Sequence, residues 1–348
     1  MLAYDACSPS APNLSDDPRP LGGKSRTQMS QVHLTILGSG SIGLALAATY
    51  AHAGANVTIL GRGAGGEQLK QSGIKVTGVA GEYYIEPNRV KVSHVAAPDP
   101  EDLMCDVLIV ATKAYQVKAA LEDLIKQQGT AFAPKMVLLL QNGWGSGDEV
   151  RAILPEHIPI FSGIMMIGIE RRTPTHINVN VLAGPVRLGS LFGADATSMK
   201  RVVDMGGKGF LPIDYDVNIE PTILNKFLFN SCLNALGALT NKSYGELVTN
   251  LHTRHLIENV ADEIIKVVQM ERNYSLAASG AEYVEKTLLP FVIPKAAAHR
   301  SSMLQDVEAG RKTEIDYLNG AAVRIGRRFG IATPYNDVVS NLIQATVR

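Results

Sequence analysis

A chain of 348 residues and 37.3 kDa, 46% of it hydrophobic, can bury one large core or two smaller ones without metal or disulfide support. Its 33 Lys and Arg balance 33 Asp and Glu, and that zero net charge argues against a nucleic-acid binder. Cys7, Cys105 and Cys232 are too few for a disulfide framework and fit a reducing compartment, and no apolar stretch reaches the length of a membrane-spanning helix.

Residues 1–30 carry Pro9, Pro12, Pro18, Pro20 and a Gly22-Gly23 pair without hydrophobic periodicity, so a disordered extension is expected. They have no apolar signal core, and Asp5, Asp16 and Asp17 do not suit a transit peptide. Met29 offers an alternative chain start. Val32 to Leu37 reads as a strand, Leu44 to Ala53 as an alanine-rich helix ended by Gly54, and Asn56 to Leu60 as a second strand. Short strands are expected at Ile74–Thr77, Glu82–Ile85, Val90–Ser93, Val107–Ala111 and Met136–Leu140, with a helix at Val117–Lys126. Ile160–Gly168, His176–Asn180 and Val186–Leu188 are expected to extend the same sheet with antiparallel strands.

The character changes near the loop-like Gly206-Gly207-Lys208-Gly209. Helical patterns follow at Asn225–Leu239, His252–Glu271, Ala298–Val307 and Glu314–Phe329, and a last one starts near Pro334. The expected organisation is an extension over 1–30, a Rossmann-like α/β domain over 31–212 and an all-helical domain over 213–348. A cleft between two such domains is a common substrate site.

Gly38-Ser39-Gly40-Ser41-Ile42-Gly43 is the strongest motif, because it follows a strand and opens a helix within a βαβ unit. Gly38 makes the tight turn, Gly40 leaves room for a pyrophosphate, and Gly43 lets helix and sheet approach. Free N–H groups at the helix start then face the phosphates. The second strand ends in Gly61-Arg62-Gly63 rather than in an acid, and the first acid is Glu67. Arg62 suits a 2′-phosphate, so NADP(H) is expected over NAD(H). Lys113 and Asn142 also lie at strand ends, where each either meets a ligand or closes a turn.

Lys226, Asn230 and Asn234 recur every four residues in an otherwise apolar helix. They form either a polar stripe against water or the other domain, or a cleft wall in which a desolvated lysine exchanges protons near neutrality. Farther on, Ser301-Ser302-Met303-Leu304-Gln305-Asp306 precedes Arg311, Thr313 and Glu314. Ser302 or Asp306 can cap a helix, and Glu314 can be an ordinary surface acid; spacing does not choose. There is no nucleophile elbow and no H-E-x-x-H pattern, and no metal is expected.

Taken together, the glycine turn, Thr112-Lys113-Ala114, Gln141-Asn142-Gly143, the Lys226–Asn230–Asn234 row and the run from Ser301 to Gly320 resemble the ketopantoate reductase (2-dehydropantoate 2-reductase) family from about Val32 to Ile343. The resemblance implies a Rossmann domain followed by a helical domain like the C-terminal domain of 6-phosphogluconate dehydrogenase. NADPH would sit on the first, with substrate between the two. It implies Lys226 as the general acid, with Asn142, Asn230 and Asn234 orienting substrate and cofactor. It places Lys113 beside nicotinamide and substrate, Ser302 on the substrate carboxylate, Glu314 in positioning and turnover, and Arg62 at the 2′-phosphate. The implied reaction is reduction of 2-dehydropantoate to pantoate, a step of pantothenate and coenzyme A biosynthesis. Many relatives carry Asn-Gly-Glu-Leu where this chain has Tyr244-Gly245-Glu246-Leu247, so Tyr244 lines the expected substrate site and opens a different 2-keto acid as an alternative. A non-catalytic NADP(H) sensor would need the glycines and Arg62 without Lys226, Ser302 and Glu314. A cytoplasmic location, a small-molecule 2-keto acid substrate, no nucleic-acid or membrane partner and a possible homodimer complete the expectations.

Overall fold

A computed structural model describes residues 31–346; the expected disordered extension over 1–30 lies outside the described residues. The N-terminal part begins with β1 (His33–Leu37), α1 (Ser41–His52), β2 (Asn56–Gly61), α2 (Gly63–Ser72), β3 (Ile74–Gly78), β4 (Tyr83–Ile85) and β5 (Val90–His94). It continues with β6 (Val107–Val110), α3 (Ala114–Gln128), β7 (Val137–Leu139), α4 (Ser146–Arg151) and β8 (Ile160–Ile164). β9 (Ile167–Thr173), β10 (His176–Leu182), β11 (Val186–Ser190), α5 (Ala196–Gly206) and β12 (Ile213–Tyr215) complete it.

The main sheet has eight strands in the order β12-β11-β8-β7-β6-β1-β2-β5. From β5 to β8 the pairings are parallel, β11 runs antiparallel to β8, and β12 runs parallel to β11. Beyond their first residues, β1 and β2 are buried, and β6 is buried throughout, as a parallel sheet covered on both faces requires. On one face Leu37, Leu108 and Val110 pack with Val117, Leu121 and Leu124 of α3.

The expected strand Ile160–Gly168 is in fact two. It breaks after Ile164; β8 stays in the main sheet, parallel to β7, while β9 and β10 join β3 and β4 in a second sheet of order β4-β3-β10-β9. Only β11 and β12 add strands opposed to the parallel set. The reason lies in α1. Its residues Gly43 to Ala51 are all buried, because the main sheet covers one side and the second sheet the other. Ala45, Ala47, Ala48 and Ala51 keep the helix thin enough to fit. Ile74, Val76, Ile177 and Val179 supply the second cover, alternating with partly or fully exposed residues as a one-sided sheet does.

Because β12 belongs to the main sheet, the α/β part runs to Tyr215 and not to 212. The helical part then comprises α6 (Ile219–Thr240), α7 (Tyr244–Thr249), α8 (Leu251–Arg272), α9 (Gly280–Tyr283), α10 (Ile293–Ala296), α11 (Ser302–Glu308), α12 (Asn319–Phe329) and α13 (Pro334–Thr346). A π-helical stretch, Val284–Val292, joins α9 to α10. α6 is the central rod, packed by α7, α8, α11 and α13. The helix expected over Ala298–Val307 starts only at Ser302, and that expected from Glu314 starts at Asn319 after a single tight turn, Ile315–Tyr317.

Candidate active site

The glycine turn behaves as its residue types dictate. Gly38 has φ +117°, and a Cβ there would stand 3.0 Å from the Ala111 carbonyl carbon. A Cβ on Gly43 would stand 1.9 Å from the Gly38 oxygen. Gly40 differs: its φ is −75°, and a Cβ would meet no atom within 4 Å. Nothing in the polypeptide requires glycine there. An open face beside a helix start that lacks a side-chain cap is the cradle a pyrophosphate needs. Ser39, Ser41 and Ile42 are half-buried around it. Arg62, exposed at the start of α2, borders a 420 Å³ cavity together with His94, Ala96, Ala120, Asp123 and Gln127. The open face at Gly40 and the uncapped helix start fit the phosphates of a dinucleotide.

The second group joins the two parts of the chain. Glu314, 7% exposed, accepts the Ala114 backbone N–H at 2.9 Å and the Asn142 amide at 3.2 Å. Lys113 Nζ lies 3.9 Å from Glu314 and donates to Asp306 at 2.5 Å. Burial opposes the charge on Lys113, but the Glu314 and Asp306 carboxylates outweigh it and hold the ammonium above the ordinary lysine value. Arg311 donates to the other Asp306 oxygen at 3.0 Å. Glu314 is therefore a buried junction rather than a surface acid, and Asp306 is an ion partner rather than a helix cap. Gln141 ties the strand ends together by donating to the carbonyls of Val110 and Thr112 at 2.8 and 3.0 Å. Next to Asn142, Gly143 has φ +89°, and a Cβ there would be 2.0 Å from the Tyr317 oxygen; Trp144 N–H donates to that oxygen at 2.8 Å. The Asn142 loop is thus pinned against the helical part.

The third group is the polar row on α6. Asn230 and Asn234 are buried and Lys226 is half-buried, so the row is a wall and not a wet stripe. Lys226 Nζ donates to the Met165 carbonyl at 2.8 Å, at the break between β8 and β9. Burial pushes its ammonium down to about 8, against an opposing pull from the Glu314 carboxylate. Asn230 makes no side-chain hydrogen bond among the described residues, which leaves its amide available. The Asn234 oxygen is taken by the Tyr244 hydroxyl at 2.7 Å.

The two adjacent serines separate by role. Ser301, fully buried, caps α11 by accepting the Leu304 N–H at 3.0 Å and donates to the Asn234 carbonyl at 3.1 Å. Ser302 is exposed at the start of the helix and caps nothing. Tyr244, 3% exposed, begins α7 and stands edge-on to Phe229 at 5.4 Å and tilted against His299 at 5.1 Å. Burial holds the Tyr244 hydroxyl in its neutral form and lowers His299 below the ordinary histidine value. The Met165 carbonyl and His299 carried no sequence signal. Asp306 was visible, but its partner Lys113 lies 193 positions away.

Comparison with known proteins agrees with this architecture. Residues 34–192 match the family described as ketopantoate reductase PanE/ApbA, and residues 218–347 match its C-terminal domain family. The chain is 31% identical over 311 residues to 2-dehydropantoate 2-reductase of Aquifex aeolicus (strain VF5), spanning 89% of this chain and 95% of that protein. Among solved structures, a ternary complex of D-mandelate dehydrogenase with NADH and anilino(oxo)acetate superposes with a TM-score of 0.78 at 25% identity, over 90% of this chain and 98% of that one. The 2-dehydropantoate 2-reductase of Geobacter metallireducens GS-15 superposes with a TM-score of 0.77 at 22% identity, over 90% and 99%.

The glycine turn on its sandwiched helix, set beside a lysine-bearing helical part, marks an oxidoreductase built on an NAD(P)-type Rossmann domain. Both halves carry one signature, and the chain belongs to the ketopantoate reductase family.

Proposed function

We propose that the chain is an NADPH-dependent reductase that converts a 2-keto acid to the 2-hydroxy acid, with 2-dehydropantoate as the first reading of the substrate. The observation that carries this is Lys226. It is an ammonium brought by burial to about 8, on a helix face with an unpartnered amide, within the field of a carboxylate that also holds Lys113 and Asn142. Such a group is charged at neutral pH yet releases its proton readily.

Gly38 to Gly43 and Arg62 would hold the dinucleotide, with Lys113, Asn142 and Glu314 toward its reactive end. When bound, the nicotinamide supplies a hydride to the keto carbon. Lys226 gives a proton to the keto oxygen as charge builds there. One of its N–H groups stays on the Met165 carbonyl, so the nitrogen is fixed while its other protons remain free. The Asn230 amide donates to the same oxygen, where a positioned donor contributes most. Ser302 binds the substrate carboxylate. Glu314 is anchored by the Ala114 N–H and orients Asn142 and Lys113 rather than reacting itself. Arg62, with no acid at the end of β2, favours a 2′-phosphate and hence NADPH.

A second reading, a 2-keto acid other than 2-dehydropantoate, is favoured by Tyr244, whose ring and hydroxyl are both committed to protein contacts. The name of the D-mandelate dehydrogenase neighbour points the same way. Following NADPH absorbance with purified protein and 2-dehydropantoate tests both. A kcat/KM near 10⁴ M⁻¹s⁻¹ or above, roughly the lower bound for dedicated enzymes, supports the first reading. Background rates in protein that binds NADPH remove 2-dehydropantoate.

A further inference from the structure

Trp144, the only tryptophan of the chain, sits where the groups of the site converge without being one of them. Gly143 and Gly145 flank it with φ of +89° and +107°, so the backbone turns on both sides and directs the indole against the core of the helical part. The ring also packs against the cluster of Ile164, Ile219 and Ile223, and it borders a narrow crevice with Leu224 and Phe227. Each neighbour is close in sequence to a group with a role in the proposed reaction. Ile164 precedes Met165, the acceptor of Lys226, and Ile223 and Phe227 bracket Lys226 on α6. Tyr317, whose carbonyl accepts the Trp144 N–H, follows Glu314 by three positions, and Trp144 itself follows Asn142 by two.

Arg272, the last residue of α8, covers one face of the ring, with its guanidinium carbon 4.6 Å from the ring centroid. The same guanidinium reaches Asp148 of α4 at 3.8 Å and Glu220 of α6 at 3.3 Å, so it ties the α/β part to the helical part. Exposed ion pairs of this kind contribute little stability singly. A planar cation stacked on the indole and held by two carboxylates nevertheless keeps the ring in one place.

The other bonds across this seam differ in kind. Lys113 to Asp306, Asn142 to Glu314 and Lys226 to Met165 are all made by groups that also serve the ligands. A contact that serves no ligand can keep the two parts in register throughout turnover. We propose that Trp144, held by Arg272, is a positioning residue: it sets Asn142 and Lys226 relative to each other, and so aligns the hydride donor and the proton donor at the keto group. This rests on the proposed 2-keto acid reduction. Alignment effects are steep, and a displacement of about 1 Å can lower a rate by about a hundredfold.

The test uses the full chain with NADPH and 2-dehydropantoate. In Trp144→Ala, kcat should fall about ten- to a hundredfold while the dissociation constant for NADPH stays within about threefold, because the phosphate seat at α1 is untouched. Trp144→Phe, which keeps a ring on the same cluster, should recover most of the rate. Arg272→Met should also lose rate, and its lone indole should become more open to quenching by acrylamide. The nicotinamide emission of bound NADPH reads the reactive end without any acid. It should move toward that of free NADPH in Trp144→Ala and return in Trp144→Phe. Ile325→Ala, which trims another wall of the same crevice, is the control: it should lower Tm without changing kcat or the emission. Unchanged kcat and emission in Trp144→Ala, or equal losses in Ile325→Ala at equal Tm, overturn the proposal while leaving the reductase reading intact. If the unaltered protein binds NADPH but does not reduce 2-dehydropantoate, that substrate reading falls, and the emission compared at matched Tm still upholds or overturns the role of Trp144.

Discussion

Lys226 donates to the carbonyl of Met165 at 2.8 Å, so the helical part grips the α/β part where the chain leaves one sheet for the other. A lysine held in this way keeps a fixed position while its proton affinity is set by burial. Replacing it with alanine should lower kcat by about a hundredfold or more, within the usual range for a general acid. The dissociation constant for NADPH, measured by fluorescence titration, should stay near that of the unaltered protein.

The pH dependence follows from the same group. The ammonium is the form that gives the proton, and burial places its pKa at about 8. Reduction rates should therefore be flat below that pH and fall as it is passed, by about tenfold per unit. The Glu314 charge pulls Lys226 upward, so Glu314→Gln should move the falling limb to lower pH. Stopped-flow rates across pH 6 to 10 would read both effects, and a limb that stays in place would count against the coupling.

Coenzyme choice is tested at Arg62. Losing a charge-assisted contact to a 2′-phosphate should raise the KM for NADPH about ten- to a hundredfold in Arg62→Ala. The KM for NADH should change little, since that coenzyme has no phosphate there.

Two glycines should respond in opposite ways. A Cβ on Gly40 meets no protein atom, so Gly40→Ala should melt close to the unaltered protein and bind NADPH markedly less well. A Cβ on Gly143 runs into the Tyr317 oxygen at 2.0 Å, and the backbone there has φ +89°. Gly143→Ala should cost about 1–3 kcal/mol from the strained backbone alone, with a clear drop in Tm.

The parts of the fold and site that were legible in sequence are those set by local rules. The Gly38–Gly43 turn is legible because its glycine spacing between a strand and a helix is a local pattern, and the face shared by Lys226, Asn230 and Asn234 follows from helical spacing. The second sheet was hidden because the alternation of β10 is the same whichever sheet receives it and β9 has no clear alternation at all, so only the packing on α1 decides. Helix α2 was missed because Gly63-Ala64-Gly65-Gly66 has little apolar periodicity, and only Gly66 and Leu69 are buried. Ser301 and Ser302 are indistinguishable by type; the Asn234 carbonyl and the Leu304 N–H single out the first as the cap. Glu314 looked like any acid because the N–H it accepts is 200 residues away.

The burial of α1 between two sheets bears on the order of events at the site. The turn at its start lies wholly within the α/β part, on a helix that neither sheet leaves free to tilt. The groups proposed for the substrate come instead from the helical part and from the seam that joins it to Asn142 and Lys113. The dinucleotide's phosphates therefore meet a finished seat, while its reactive end and the keto acid share one assembled from two pieces. Kinetically, that arrangement favours compulsory order, with NADPH entering first, the keto acid second, and NADP⁺ departing last.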